Sequence, residues 1–379
     1  GLADCLAELR RRVDGDLRDD RYSRVLYSTD ASIYEVEPLA VLIARHEEDV
    51  HAAVETASGF GIPMLPRTAG TSLAGQAVNR ALVVDMTRHL DQVLDLDVEA
   101  RQVRVQPGIS LAALNGALRP HGLQYGPDPA SGDRAAMGGI VGNNATGAHS
   151  ILYGMTADHV LGMQVVLSDG SRATLEPLAP ETLAERCQRV GLEGDIYRRL
   201  VALVEDDSNQ AIIQSGTPHH WRRRGGYNLD RFVDGDLTFH WPRDRRFNLA
   251  EMVTGSEGTL AVMTEITLGL VPVPPMSALA LVHYDSLHTA LTSVPLILRA
   301  DVSAVELLDH LAMRLCREVP EYARLLQTFV DGAPEAILIV EVQGDSESEL
   351  RAKLDALESL LRRERAGATG TVEALDPRQ

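Results

Sequence analysis

The sequence predicts an α+β fold in which a long ligand-binding region is followed by a partial ferredoxin-like α/β layer. Three observations indicate this. A strand, helix and strand near residue 40 run into a glycine-rich loop, short strands with tight turns follow, and strands and helices alternate after clustered prolines at 271–275. Because clustered prolines cannot continue a sheet, they mark a boundary. We predict three segments, at 1–20, 21–275 and 276–379.

The first elements follow from apolar periodicity. Residues 2–13 carry leucines on one face and predict an amphipathic helix. Strands at 39–44 and 62–65 enclose a helix at 47–59, whose leading acidic residues suit the positive end of its dipole. Ser110 is a suitable N-cap for a helix at 110–118. The other predicted elements are strands at 81–86, 92–97 and 102–106, a hairpin over 158–175, and helices over 180–215.

The region after the prolines alternates between the two periodicities. It predicts strands at 278–284, 336–343 and 370–375, helices at 286–298 and 346–364, and helical segments between 304 and 329. This order is typical of a ferredoxin-like layer.

The loop PRTAGTSLAG at 66–75, here called the cradle loop, is the first candidate ligand site. Gly70 and Gly75 permit positive φ, so that consecutive backbone N–H groups can converge on an anion. The loop lacks the lysine of G-x-x-x-x-G-K-[ST] and the spacing of G-x-G-x-x-G. It therefore predicts a metal-free diphosphate site, with an ordinary tight surface loop as the alternative.

Two further glycine loops and one basic cluster are candidates. Four glycines between 138 and 147 leave one helix face nearly bare, which suits either a flat ligand or close helix-to-sheet packing. The loop at 255–260 precedes a strand and predicts another backbone approach to a ligand. The basic island at 221–229 includes Arg222, Arg223 and Arg224, and it either pairs with nearby acids or binds a substrate carboxylate.

Composition excludes several classes of function. The net charge of −18 over 379 residues disfavours nucleic acid and anionic membrane surfaces as partners. No apolar run is long enough for a transmembrane segment, and the N-terminus lacks a signal-peptide pattern, so a cytoplasmic location is expected. Three dispersed cysteines indicate neither disulfides nor a metal cluster. The terminal residues Gly1 and Gln379 suggest a fragment of a larger protein.

The three loops together resemble a known family. The segments Pro66-Arg-x-x-Gly-Thr-Ser-Leu, Gly138-Gly139 with Asn143-Asn-Ala-Thr-Gly147, and Gly255-Ser-Glu-Gly-Thr-Leu260 are similar to the FAD-binding domain of the vanillyl-alcohol oxidase and para-cresol methylhydroxylase (PCMH) superfamily. Within it, the chain resembles the glycolate oxidase, D-lactate and D-2-hydroxyglutarate dehydrogenase branch. This implies a two-subdomain PCMH-type FAD domain, followed by part of the FAD-linked oxidase C-terminal (cap) domain.

The resemblance implies FAD contacts at matching positions. They are Pro66, Arg67, Thr68, Ala69, Gly70, Thr71 and Ser72 at the pyrophosphate; the stretch 130–136, with Ala130, Ser131 and Ala136, and Gly138 and Gly139 beside the flavin; Asn143, Asn144, Ala145 and Thr146 along the same wall; and the stretch 257–263, with Glu257, Gly258, Thr259, Leu260 and Val262, near the adenosine half. Family members with covalent flavin carry a histidine in the cradle loop. Because Thr68–Ser72 contains none, non-covalent FAD is expected.

The implied reaction is oxidation of a small D-2-hydroxy acid, or of glycolate, by hydride transfer to flavin N5. Arg222 and Tyr227 are candidates for binding the carboxylate, and His149 is the nearest acid/base candidate, although no partner acid can be assigned to it. The metal or substrate motif of relatives is absent, no metal site is predicted, and the base is expected beyond Gln379. The electron acceptor would be an iron–sulfur module, a quinone or an electron-transfer protein, and peripheral association with the inner membrane is compatible with it. The alternatives are a flavin-binding module without turnover and a cell-wall-precursor reductase.

Overall fold

A computed structural model describes residues 1–223, 225–233 and 246–375. The chain divides into two compact units. The first unit consists of Gly1–Gly147 with Gly154–Pro272, and the second of Ala148–Tyr153 with Val273–Gln379. Among the described helices, none has both the length and the apolar character that a membrane span requires.

The first unit begins with a small, mainly parallel sheet. Strands β2 and β3 both run parallel to β4, while β1 pairs antiparallel with β2, which gives the order β1-β2-β4-β3. Helix α3 ends where Gly61 adopts a φ of 65°. The elements are α1 Leu2–Arg12, β1 Asp16–Arg18, α2 Arg21–Leu26, β2 Ala40–Ile43, α3 Glu47–Phe60, β3 Met64–Arg67 and β4 Leu82–Asp85.

A second, antiparallel sheet completes the first unit, in the order β5-β6-β10-β8-β9. Its core includes buried side chains of α4 and α5, such as Leu114 and Ile140. Its strands are β5 Val93–Asp97, β6 Gln102–Val105, β8 Val160–Val166, β9 Arg172–Leu175 and β10 Val262–Gly269, and β7 Leu123–Gln124 pairs separately with β11 Val271–Pro272. The helices are α4 Leu111–Leu118, α5 Met137–Gly142, α7 Pro180–Gln188, α8 Leu192–Glu205, α9 Asp207–Gly216 and α10 Ala250–Val253.

The second unit is a four-stranded antiparallel sheet in the order β13-β14-β12-β15, which is the ferredoxin-like order. One face packs on α11 and α14 through residues such as Val282 and Leu354, and the other includes Leu281, Ile337 and Met313. The elements are α6 Ser150–Tyr153, β12 Met276–Tyr284, α11 Leu287–Ile297, β13 Ala304–Asp309, α12 His310–Glu318, α13 Pro320–Leu326, β14 Ala336–Gly344, α14 Glu347–Arg363 and β15 Gly370–Ala374.

The predicted α+β class and the ferredoxin-like layer are confirmed. One element was wrong: residues 304–309 form strand β13 rather than the start of a helix, because they pair along their whole length with β14. Strand β1 and helix α2 were not predicted. The three-segment division stays a prediction; Leu6 and Leu9 of the N-terminal helix lie in the core of the first sheet.

Candidate functional site

The first unit contains a cleft of about 820 Å³ that is lined by all three glycine loops. Most of the predicted cofactor contacts line it. They are Pro66, Arg67, Thr68, Gly70, Thr71, Ser72, Ala130, Ser131, Ala136, Gly138, Gly139, Asn143, Ala145, Thr146, Glu257 and Gly258. A cleft of this size suits a cofactor-sized ligand.

The cradle loop follows β3, at the carboxyl end of a parallel strand. Gly70 and Gly75 have φ values of 68° and 84°, as the loop pattern predicted. A Cβ added at Gly70 would lie 2.7 Å from Nη2 of Arg67, so the loop closes tightly around this guanidinium. The position therefore requires glycine for both conformation and space.

Arg67 holds the cradle loop in place through hydrogen bonds to backbone carbonyls. Its Nη1 donates to the carbonyl oxygens of Tyr27 and Ala77, at 3.1 and 2.9 Å, and its Nη2 donates to that of Thr29, at 2.8 Å. Burial lowers the pKa of Arg67 from its ordinary value, although the nearby Asp30 and Asp85 carboxylates act to raise it. Arg67 lies at the start of the cradle loop, and Ala77 lies just after its end. The hydrogen bond between them therefore joins the two ends of the loop.

Helix α5 presents its bare face to the cradle loop. A Cβ at Gly139 would lie 2.8 Å from the Thr68 hydroxyl oxygen, and a Cβ at Gly138 would lie 2.8 Å from Cβ of Pro107. These glycines line the cleft and also allow close packing. Close packing is therefore observed at this helix, and the binding of a flat ligand against it stays a prediction.

The segment after α5 contributes polar groups to the wall. Nδ2 of Asn143 donates to the Ser72 hydroxyl at 3.2 Å and joins the second loop to the first. The Thr146 hydroxyl is buried and has no hydrogen-bond partner among the residues that the structure describes. Asn144 is fully buried, has a φ of 48°, and accepts from the Ala157 N–H, so it shapes the turn without lining the cleft.

The third loop reaches the cleft through its first half. Gly258 has a φ of 77°, and its added Cβ would lie 3.0 Å from Pro66. The Gln76 amide donates to Glu257 at 3.2 Å. Several predicted contacts do not line the cleft, namely Ala69, Asn144, Thr259, Leu260 and Val262.

Val262 lies in the hydrophobic core with the first sheet instead. Its neighbours Ala261 and Met263 line the cleft, because successive strand residues point to opposite faces. Both lie within the predicted stretch 257–263, although Val262 was the contact named there. Arg134, a cation of the second loop within the predicted stretch 130–136, also lines the cleft.

The basic island separates into different roles. Arg222 lines the cleft. Arg223 forms an ion pair with Asp230, and both side chains are nearly buried. The Tyr227 hydroxyl lies 2.9 Å from the Thr259 hydroxyl and does not line the cleft. Arg224 lies outside the described residues.

His149 belongs to the second unit and has an acidic partner, which sequence reasoning did not assign. Its Nε2 lies 3.0 Å from Oε1 of Glu341, on β14. The pKa of Glu341 is raised by burial but lowered more by hydrogen bonds from His149, Ser303 and Gln343, and the net shift is downward. A separation of 192 residues leaves no local signal for this pair.

Within the described part of the chain, no group of three or more His, Cys, Asp or Glu side chains is placed to hold a metal ion. The cleft is lined by glycine-loop backbone, hydroxyls, the Glu257 carboxylate and three arginines, Arg67, Arg134 and Arg222. The arginines and the glycine loops suit an anionic ligand.

Comparisons with known proteins agree with this geometry. The model of the FAD binding domain matches residues 38–176, and that of the C-terminal domain of FAD linked oxidases matches residues 273–379. The D-2-hydroxyglutarate dehydrogenase of Pantoea ananatis is 32% identical over 94% of this chain and 35% of its own length. Glycolate oxidase subunit GlcD of Escherichia coli is 27% identical, over 98% and 61% respectively.

A solved structure of alkyldihydroxyacetonephosphate synthase shares the fold, with a TM-score of 0.65 and 18% identity over 97% of this chain and 61% of that chain. The chain thus spans about a third of the length of the D-2-hydroxyglutarate dehydrogenase that it matches.

Proposed function

The chain belongs to the FAD-linked oxidases, and from this premise we propose that the protein oxidises a small D-2-hydroxy acid or glycolate. The names of the relatives indicate the class of substrate. The observation that carries the proposal is that three glycine loops and Arg222 line one cleft.

The residues of the cleft fit FAD. The positive φ of Gly70 turns the cradle loop so that its N–H groups can bind a pyrophosphate. The bare face of α5 leaves room for a flat ring. The buried Thr146 hydroxyl, which has no partner within 1–223, 225–233 and 246–375, supplies a hydrogen-bonding group. FAD supplies the two-electron acceptor when it is bound.

Arg222 is proposed to bind the substrate carboxylate. In a protein of net charge −18, a carboxylate needs a local cation, and a guanidinium offers two parallel donors. A hydrogen bond to a charged group contributes about 1.5–3 kcal/mol. Tyr227 stays a predicted second donor, and His149 a predicted acid/base group.

The test uses protein reconstituted with FAD under anaerobic conditions. D-2-hydroxyglutarate, D-lactate and glycolate are added separately, with the L-enantiomers of the chiral acids as controls, and flavin bleaching is recorded. A dye acceptor then measures turnover. We expect at least one of the three substrates to bleach the flavin, and NADPH to leave it oxidised.

A module that binds FAD without its own turnover is the second candidate. It is favoured by the fraction of the relatives' length that the chain spans. Full FAD occupancy with no bleaching by any hydroxy acid would support this second candidate over oxidation. Rapid bleaching by NADPH alone would instead indicate a nicotinamide-dependent reductase.

A further inference from the structure

The six residues Ala148–Tyr153 belong to the second unit, although the chain on both sides of them belongs to the first. They follow directly on Asn143–Gly147, the part of the second glycine loop from which Asn143, Ala145 and Thr146 line the cleft. Side chains that hold this segment in place are therefore connected covalently, through a few residues, to the end of the second glycine loop.

The segment is held by side chains of β14. His149 Nε2 lies 3.0 Å from Oε1 of Glu341, and the Tyr153 hydroxyl donates to Oε1 of Gln343 at 3.4 Å. The backbone N–H groups of Leu152 and Tyr153 donate to the His149 carbonyl. Fixing His149 therefore fixes the start of α6.

Glu341 is the centre of this network. Its Oε1 also accepts from the Ser303 hydroxyl at 2.6 Å and from Nε2 of Gln343 at 3.0 Å. The side chains of Glu341 and His149 are only 18% and 20% exposed. Donors from three separate segments thus fix the carboxylate in one position, with little screening by water.

The connection between His149 and the loop Asn143–Gly147 is short, and its backbone is closely packed at Gly147. A Cβ at Gly147 would lie 1.6 Å from the carbonyl oxygen of Asp128, so the backbone there is pressed against the chain that precedes the cleft residue Ala130. Only Ala148 separates Gly147 from His149. We therefore expect a shift of His149 to be felt at Gly147, two residues away.

We propose that Glu341 is a positioning residue for FAD, which acts through His149 to hold the end of the loop Asn143–Gly147. The role rests on FAD binding and is independent of which substrate is oxidised. A purely structural role in the second unit would instead change stability and leave the FAD site unaltered.

The test is a double-mutant cycle on the full chain, with FAD affinity as its readout. Glu341→Ala and His149→Ala are each expected to weaken FAD binding about tenfold, and the double variant is expected to weaken it by the same factor rather than a hundredfold. The near-ultraviolet and visible circular dichroism of bound flavin should change in the same way in all three. His149→Gln keeps a donor toward Glu341 and should restore most of the affinity.

The chain offers a matched control, because His310 and Glu335 form a similar pair in the second unit with both side chains about 60% exposed. Their alanine variants should leave FAD affinity unchanged. If Glu341→Ala does not fold, His149→Ala still tests the idea, since Ser303 and Gln343 remain as donors to Glu341. Wild-type FAD affinity and dichroism in His149→Ala, or effects of the same size in the control pair, would overturn the proposal.

Discussion

Arginines of this chain have different roles that residue type alone does not separate. Arg67 binds three backbone carbonyls, Arg223 pairs with a nearly buried aspartate, and Arg222 lines the cleft. The sequence identified the basic island but not the separate roles of its arginines. Asp230, the partner of Arg223, reaches it only through the fold of the chain after Tyr227. Substitutions at these positions should accordingly have different effects.

At the cradle loop, we predict that Gly70→Val weakens FAD binding at least tenfold. Valine opposes a φ of 68°, and its Cβ would meet the guanidinium that supports the loop. Gly61→Val is the matched control, because Gly61 has a φ of 65° and an added Cβ would have no atom of the described residues within 4 Å. Both variants should lose about 1–2 kcal/mol of stability from backbone strain. Isothermal titration with FAD separates them, and equal affinities would mean that the loop does not bind the cofactor.

At the substrate end, we predict that Arg222→Ala and Arg222→Lys slow the reduction of flavin by the hydroxy acid and raise its apparent dissociation constant at least tenfold. Lysine offers a point charge in place of two parallel donors, so it should rescue little. FAD affinity should change much less than substrate affinity. Stopped-flow measurements of flavin reduction give the rate and the apparent dissociation constant of the hydroxy acid. Arg119→Ala, at an exposed position, is the control. Wild-type kinetics in both Arg222 variants would assign the carboxylate to another group.

At the scale of elements, local patterns were sufficient to predict the loops of the cleft but insufficient to predict strand β13 and the partner of His149 in the second unit. The cradle loop and α5 were predictable because glycine spacing is a local signal of backbone geometry. Strand β13 was missed because its residues alternate weakly and precede a true helix, and only pairing with β14 decides between the two states. The partner of His149 was missed for a related reason, since β14 contributes Glu341 from a distant part of the chain.

The lowered pKa of Glu341 leads to a pH prediction for the second unit. In the unfolded chain, a glutamate titrates near its ordinary value of about 4.3. Because the folded pKa is lower, the stabilisation by this carboxylate is complete above that value and is lost as pH falls through the folded pKa. Glu341→Gln should therefore show a shallower loss of stability than the wild type on acidification below about pH 4.5.

Urea unfolding at several pH values, followed by a probe of the second unit, measures this difference. Other charged groups lie near the cluster: Lys353 of α14 donates to the Gln343 carbonyl and pairs with Asp301 and Glu349. Glu349→Gln therefore serves as a comparison for their share of the pH dependence. Parallel curves for the wild type and Glu341→Gln would show that Glu341 does not couple folding to pH.

At the scale of the whole molecule, the ferredoxin-like class of the second unit was predictable from the alternation of strands and helices after the prolines, but its order β13-β14-β12-β15 includes the strand that was missed. The assignment of Ala148–Tyr153 to that unit was not predictable. This segment is too short to have a core of its own, and its sequence continues the glycine loop without a break. Its placement depends on side-chain contacts with β14, which a linear pattern does not encode.

The composition of the cleft predicts how the cofactor is held. Covalent attachment of a flavin needs a nucleophilic histidine, cysteine or tyrosine at the ring, and none of the described residues that line the cleft is of these types. Acid precipitation of the reconstituted protein should therefore release FAD into the supernatant. The same reversible binding should raise the free energy of unfolding with ligand concentration, by about 2.7 kcal/mol at a hundred times Kd. Thermal unfolding at several FAD concentrations measures that rise, with riboflavin, which lacks the pyrophosphate, as the matched control. Yellow colour that stays in the acid pellet would contradict non-covalent binding, and equal stabilisation by riboflavin would contradict the role of the cradle loop.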